Sequence, residues 1–143
     1  MKNKRLLALD FGSKTVGVAI TDELHVTISL FPVIRREKPT KFRKTFAEIE
    51  KILSTYEIEK IVLGFPYNMN GSKGKRCKET EIFKESLSQR IDIPIILYDE
   101  RLTTVEAYDI MKEYKIDKSK QMEIVDSVAA AVILRSYLNQ NEN

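Results

Sequence analysis

The chain has 143 residues, 43% of them hydrophobic, with 24 Lys and Arg against 21 Asp and Glu and a net charge of +3. The apolar fraction excludes a disordered chain, and only 5 Gly and 4 Pro exclude collagen-like or linker sequence. One Cys (Cys77) and one His (His25) exclude an internal disulfide and a structural zinc site, so any metal is held by oxygen.

At roughly 150 residues per domain, the length predicts a single domain over residues 1–143, burying about two-thirds of its unfolded surface. Asp10 interrupts the apolar run after MKNKR too early for a signal peptide. The longest apolar run, Val128 to Leu134, is far short of the ~20 residues of a membrane span, so a cytoplasmic protein without membrane contact is expected.

Leu6 to Phe11 is almost continuously apolar and predicts a strand covered on both faces. Thr15 to Thr21 and His25 to Ile34 are rich in β-branched residues, with a hairpin turn at Thr21-Asp22-Glu23-Leu24. Phe42, Phe46, Ile49 and Leu53 then mark one face of an amphipathic helix. Lys60 to Leu63 predicts a short strand stopped by Gly64 and Pro66, and the aperiodic Tyr67 to Lys75 a mobile loop. A helix from about Arg76 to Gln89 turns Phe83 and Leu87 inward, and Ile93 to Tyr98 is another strand, with Pro94 near its start. Thr103 and Glu106 have the spacing of a capping box before helices at about Thr104 to Glu113 and Gln121 to Leu138. The order predicts an α/β fold: a mixed five-stranded sheet, an antiparallel three-strand meander plus parallel crossovers, with helices on its faces.

Three carboxylates fall where folding alone gives them little reason to be. Asp10 ends the buried first strand, Asp99-Glu100 ends the last one, and Asp126 interrupts the run IVDSVAAAVIL. Burying an unpaired carboxylate costs several kcal/mol, so each needs a cation, donors or a raised pKa. Asp10 can accept amide bonds from the Gly-Ser turn, Asp126 can be an extended cap, and Asp99 suits the positive end of the next helix. Within the adjacent pair Asp99-Glu100, that makes Glu100 the better candidate ligand. Three acids at strand ends and helix starts suit Mg²⁺ or Mn²⁺ and the chemistry of phosphodiester hydrolysis.

No nucleophile-His arrangement competes: His25 reads as a hairpin or strand residue and Cys77 as an inert thiol. A phosphate loop ending at Gly74-Lys75 fails, because Met69 and Arg76 stand where Gly and Ser or Thr are needed. Basic residues cluster at Arg35, Arg36, Lys38, Lys41, Arg43, Lys44 and Lys51, at Lys73, Lys75, Arg76 and Lys78, and at Lys112, Lys115, Lys118 and Lys120. Each cluster alone is an ordinary solvated face; beside a metal site they would steer a polyanion to it. Tyr67 and Asn68 are placed to stack on or bond to a base.

LALDFGSKTVGVAITD, GFPYNMNGSKG, YDERLTTVEA and DSVAAAVILRSYL stand in the order and spacing of the bacterial YqgF family, which the chain resembles over Leu7 to Leu138. That family is described as Holliday junction resolvase-like and as nucleases of pre-16S ribosomal RNA. The resemblance implies a ribonuclease H-like fold, a catalytic and metal-binding triad at Asp10, Glu100 and Asp126, and a role in maturing the 5′ end of small-subunit ribosomal RNA. It also implies substrate-side positions at Gly12, Lys14, Asn68, Gly71 and Arg101, with Gly17 a further motif position. Thr15, where a basic residue is frequent, and Asn70, where Asp is usual, depart from its pattern.

The leading expectation is therefore a Mg²⁺- or Mn²⁺-dependent nuclease, monomer or homodimer, acting on structured RNA. The alternatives are cleavage of branched DNA, which needs a dimer for symmetric cutting, and a non-catalytic protein binding RNA or the transcription machinery. DFGSKTVGVA also resembles the phosphate-binding hairpin of actin-like ATPases, but those close two such domains around ATP.

Overall fold

Strand β1 (Arg5–Phe11) takes the centre of the sheet because it is apolar on both faces and has a partner along each edge. The structure is a computed structural model that describes residues 4–112 and 127–141. After β1 come β2 (Thr15–Thr21), β3 (Ile28–Leu30), β4 (Ile34–Arg35), α1 (Arg43–Thr55), β5 (Ile58–Phe65), α2 (Lys75–Ser88) and β6 (Ile95–Asp99). A 3-10 turn (Glu100–Leu102), α3 (Val105–Lys112) and α4 (Val128–Asn141) follow. The strand order is β3-β2-β1-β5-β6, with β2 antiparallel to β1 and β5 and β6 parallel to it. This is the expected meander followed by crossovers.

Alternation along β1 divides the interior. Leu7, Leu9 and Phe11 pack with Phe46 and Ile49 of α1 and Phe83 and Leu87 of α2 on one side. Leu6 and Ala8 pack with Ala130, Ile133 and Leu134 of α4 on the other. The phenylalanine stripe of α1 does what its period predicts, with Phe46 and Ile49 buried and Phe42 and Leu53 partly so.

The expected strand from His25 to Ile34 is two short strands, so the sheet has six, with β4 pairing only to β2. Pro32 lies in the gap, where its missing N–H cannot serve a ladder. The Ser127 hydroxyl fills the gap, accepting from the Val18 amide at 3.1 Å and donating to the Phe31 carbonyl at 2.7 Å. Between β2 and β3, Asp22 accepts from the Leu24, Val26 and Thr27 amides, while His25 takes a positive φ of 59° and bonds the Lys4 carbonyl through Nε2.

The expected capping box is also displaced. Thr104, not Thr103, caps α3, its hydroxyl accepting from the Ala107 amide at 3.0 Å, while the Thr103 hydroxyl donates to the Glu100 carbonyl. The 3-10 turn consumes Thr103 one residue before the helix begins. Among the described residues no helix is long and apolar enough to cross a membrane.

Candidate active site

Asp10 is the one acid on β1, opposite Gly17 of β2, and alternation puts its side chain on the α4 face with Leu6 and Ala8. Its Oδ1 is buried and accepts no hydrogen bond among the described residues. Burial pushes the carboxyl pKa above its usual value, and the Arg76 guanidinium partly opposes that.

Glu100 reaches the same face from the end of β6. A Cβ on Gly64 of β5 would stand 3.1 Å from Glu100 Cδ and 2.5 Å from Ile133 Cδ1. The missing side chain of Gly64 is therefore the space that Glu100 occupies, and the pairing of Leu9 with Leu63 sets Gly64 level with Asp10. The Glu100 pKa is raised to about 7, first by burial and then by the Asp10 charge, with Arg76 opposing. The two acids are thus electrostatically joined.

Asp99 behaves differently and is not part of that pair. Its Oδ1 caps the 3-10 turn by accepting from the Arg101 amide at 2.9 Å, and its Oδ2 takes the Arg101 Nη2 at 2.7 Å. Those bonds hold its pKa below the usual value. This agrees with Asp99 as a capping charge and leaves Glu100 free.

Asp126 lies outside the described residues, as do the side chains of Lys112, Lys115, Lys118 and Lys120. Its neighbour Ser127 is buried and anchored on Val18 of β2, next to Gly17.

An open cleft of about 510 Å³ runs past Glu100, lined by Pro66, Tyr67, Asn68, Arg76 and Arg101 among others. Arg76, in the first turn of α2, points Nη2 at the Phe11 carbonyl at 3.5 Å and faces both acids. Arg101 stacks its guanidinium 5.0 Å from the Tyr67 ring centre and points Nη1 at the Met69 carbonyl.

The expected mobile loop is closed by its own bonds. Asn68 donates from its amide to the Ser72 carbonyl and from Nδ2 to the Ser72 hydroxyl, and Gly71 takes the φ of +87° that lets the turn close back on Asn68. Asn70 Oδ1 accepts from the Ser72 amide and hydroxyl, a bond that Asp would make equally well. That departure from the family pattern is absorbed locally. Gly12 and Lys14 sit in the β1–β2 turn, beside Thr15, whose carbonyl accepts from the Gly12 amide.

Three residues at the site escape a reading of the sequence alone. Gly64 reads as a strand stop, although Gly inside a strand also signals close approach of another group. Arg76 reads as one charge among many. Arg36 reads as solvated, yet it is 7% exposed and packs its guanidinium 4.5 Å from the Phe11 ring centre.

With this geometry in place, a family model described as "RuvX: Holliday junction resolvase" matches residues 4–140. The chain belongs to this RuvX family. It is 47% identical over 139 residues to a protein of Agathobacter rectalis named "Putative pre-16S rRNA nuclease", covering 97% of each chain. A protein of Lachnospira eligens bearing the same name is 41% identical over 138 residues, covering 96% of this chain and 99% of that one. Among solved structures, Thermus thermophilus RuvC superposes with a TM-score of 0.61 at 10% identity, over 95% of this chain and 96% of that one. This likeness shows that the RuvX chain has the ribonuclease H-like fold of RuvC. Membership places the chain among phosphodiester-cleaving hydrolases.

Proposed function

We propose that this chain is a divalent-metal-dependent nuclease that cleaves phosphodiester bonds in structured RNA, maturing the 5′ end of pre-16S ribosomal RNA in the cytoplasm. The observation that carries the reading is the joined pair of Asp10 and Glu100 on one face at the strand ends. A buried carboxylate oxygen with no partner among the described residues is costly, and a hard cation is a partner suited to it. Asp10, Glu100 and Asp126 would hold Mg²⁺ or Mn²⁺, since the donors are all oxygen. Support for Asp126 comes from its covalent neighbour Ser127, anchored one residue from the partner of Asp10. Held by these residues, a cation would supply activation of the attacking water and stabilisation of charge on the leaving oxygen.

The chain's own side chains do the rest. Arg76 offsets the charge of the acid pair and is placed to meet a phosphate approaching it. Arg101, held by Asp99 and Tyr67, and Asn68 of the closed loop form the substrate wall of the cleft, with Gly71 beside the Arg101 guanidinium. Lys14 is exposed on the turn after β1 and supplies charge to the nucleic acid backbone.

The family description favours a second reading, cleavage of branched DNA by the same acids in a homodimer. Incubating the protein and its Asp10→Asn variant with labelled ribosomal RNA precursor and with a four-way DNA junction, in Mg²⁺, Mn²⁺ or EDTA, separates the two. Metal-dependent cleavage of the precursor alone, lost in the variant, is the expected result. Cleavage of the junction alone selects the second reading, and RNA binding without any cleavage defeats both.

A further inference from the structure

The turn that joins β1 to β2 has its carbonyls held on one side. Arg36 donates from Nη2 to the Gly12 carbonyl and, at 2.9 Å, to the Ser13 carbonyl, and its own amide donates to the Lys14 carbonyl at 2.8 Å. Nε fixes the guanidinium further by donating to the Pro39 carbonyl at 3.1 Å. The guanidinium lies over Phe11 and Phe42, on the α1 and α2 face of the sheet.

A trans peptide unit is planar, so the N–H of each residue points opposite to the C=O before it. With the Gly12 and Ser13 carbonyls drawn toward Arg36, the Ser13 and Lys14 amides turn away from it, toward the face that carries Asp10. Both residues are exposed, and among the described residues neither amide has a hydrogen-bond partner. Two successive free amides in a turn are donors suited to an anion.

We infer that the Ser13 and Lys14 amides seat a non-bridging phosphate oxygen of the bound nucleic acid strand beside the acid pair, and that Arg36 is the positioning residue that turns them there. The inference rests on the nucleic-acid reading above and deepens it. Arg36 touches no substrate; it acts through the backbone. Such a seat is blind to base identity, because every nucleotide carries the same phosphate. It also distinguishes the roles of two basic neighbours: Lys14 contributes an exposed surface charge, whereas Arg36 is a buried clamp on the backbone.

The test uses binding without cleavage. In EDTA, Asp10→Asn protein labelled with ¹⁵N is titrated with a short oligoribonucleotide, and separately with its uncharged methylphosphonate analogue. The Ser13 and Lys14 amide resonances are expected to move downfield with the charged strand and not with the analogue. Replacing the Lys14 amide by an ester, which removes one N–H and leaves Arg36 in place, should raise the dissociation constant about tenfold, as for one hydrogen bond to a charged group. In the cleaving protein Arg36→Met should raise KM far more than it lowers kcat. If RNA shifts other resonances but leaves these two amides still, or if the ester binds like its parent, the inference is overturned even though the protein cleaves RNA. If the amides respond while the wild-type protein cleaves nothing, the seat stands and the nuclease reading falls.

Discussion

Asp10 and Glu100 reach the same face of the sheet from strands that are not neighbours, and the Asp10 charge helps raise the Glu100 pKa to about 7. β5 separates β1 from β6, and the two acids meet across it because Gly64 contributes no side chain there. The pair is therefore strained electrostatically whenever no cation is bound, and that strain has consequences for stability as well as chemistry.

Asp10→Asn should abolish metal-dependent cleavage and raise the melting temperature of the metal-free protein. Its Oδ1 is buried with no partner among the described residues, so a neutral amide removes both the desolvation of a charge and the repulsion with Glu100. Relief of about 1 kcal/mol corresponds to a rise of roughly 3 °C for a chain of this length. Calorimetry in EDTA, beside a cleavage assay, checks both halves; a variant that cleaves normally would remove Asp10 from the mechanism.

The pH dependence of stability follows from Glu100. Its folded pKa of about 7 lies above the ordinary 4.5, so the folded state favours the protonated form. The contribution is full below the unfolded value and is lost as pH rises through the folded one, so metal-free stability should decline between about 4.5 and about 7. Glu100→Gln should flatten that decline. Asp22 and Asp99, whose pKa values are lowered, act in the opposite sense, and the stability they contribute is lost in more acid solution. Thermal denaturation across the range in EDTA measures the slope. Mn²⁺ binding near neutral pH should also release protons, which buffer-dependent calorimetry reads directly.

The buried Asp10 was legible in the sequence because a carboxylate inside an apolar run is costly whatever the fold, and β1 and the phenylalanine stripe of α1 because their periods are local. The break at Pro32 was not, since what repairs it is the hydroxyl of Ser127, 96 residues away from Phe31 in the chain. Two adjacent threonines made the cap ambiguous: Thr103 and Thr104 differ only in which one the 3-10 turn consumes. Arg36 and Arg76 share one side-chain chemistry with the solvated arginines, and only tertiary packing tells a clamp on carbonyls, or a counter-charge to acids, from a surface charge.

Arg76→Ala should tighten Mn²⁺ binding while reducing cleavage. The guanidinium opposes the raised pKa of both acids, so it is a positive charge close to the place where a cation would sit. Removing it lowers the repulsion between charges, a gain of about 1 kcal/mol or several-fold in affinity at a partly solvated site. The same loss takes a cation from the approaching phosphate. Isothermal titration with Mn²⁺ and single-turnover cleavage should therefore move in opposite directions; weaker metal binding in the variant would show that Arg76 only supports the fold.

Gly64→Ala separates packing from function at one position. The new Cβ would lie 2.5 Å from Ile133 Cδ1 and 3.1 Å from Glu100 Cδ, so both neighbours must move. Overpacking of this kind costs about 1–3 kcal/mol, and calorimetry should show it. Adding Ile133→Val removes the Cδ1 methyl, the closer of the two obstacles, and should return most of the lost stability. It does nothing for Glu100, which remains displaced from Asp10 by the same Cβ. The double variant is therefore expected to melt close to the wild-type temperature and still to bind Mn²⁺ weakly and cleave poorly. Recovery of cleavage together with stability would mean that the position of Glu100 over Gly64 has no part in the chemistry.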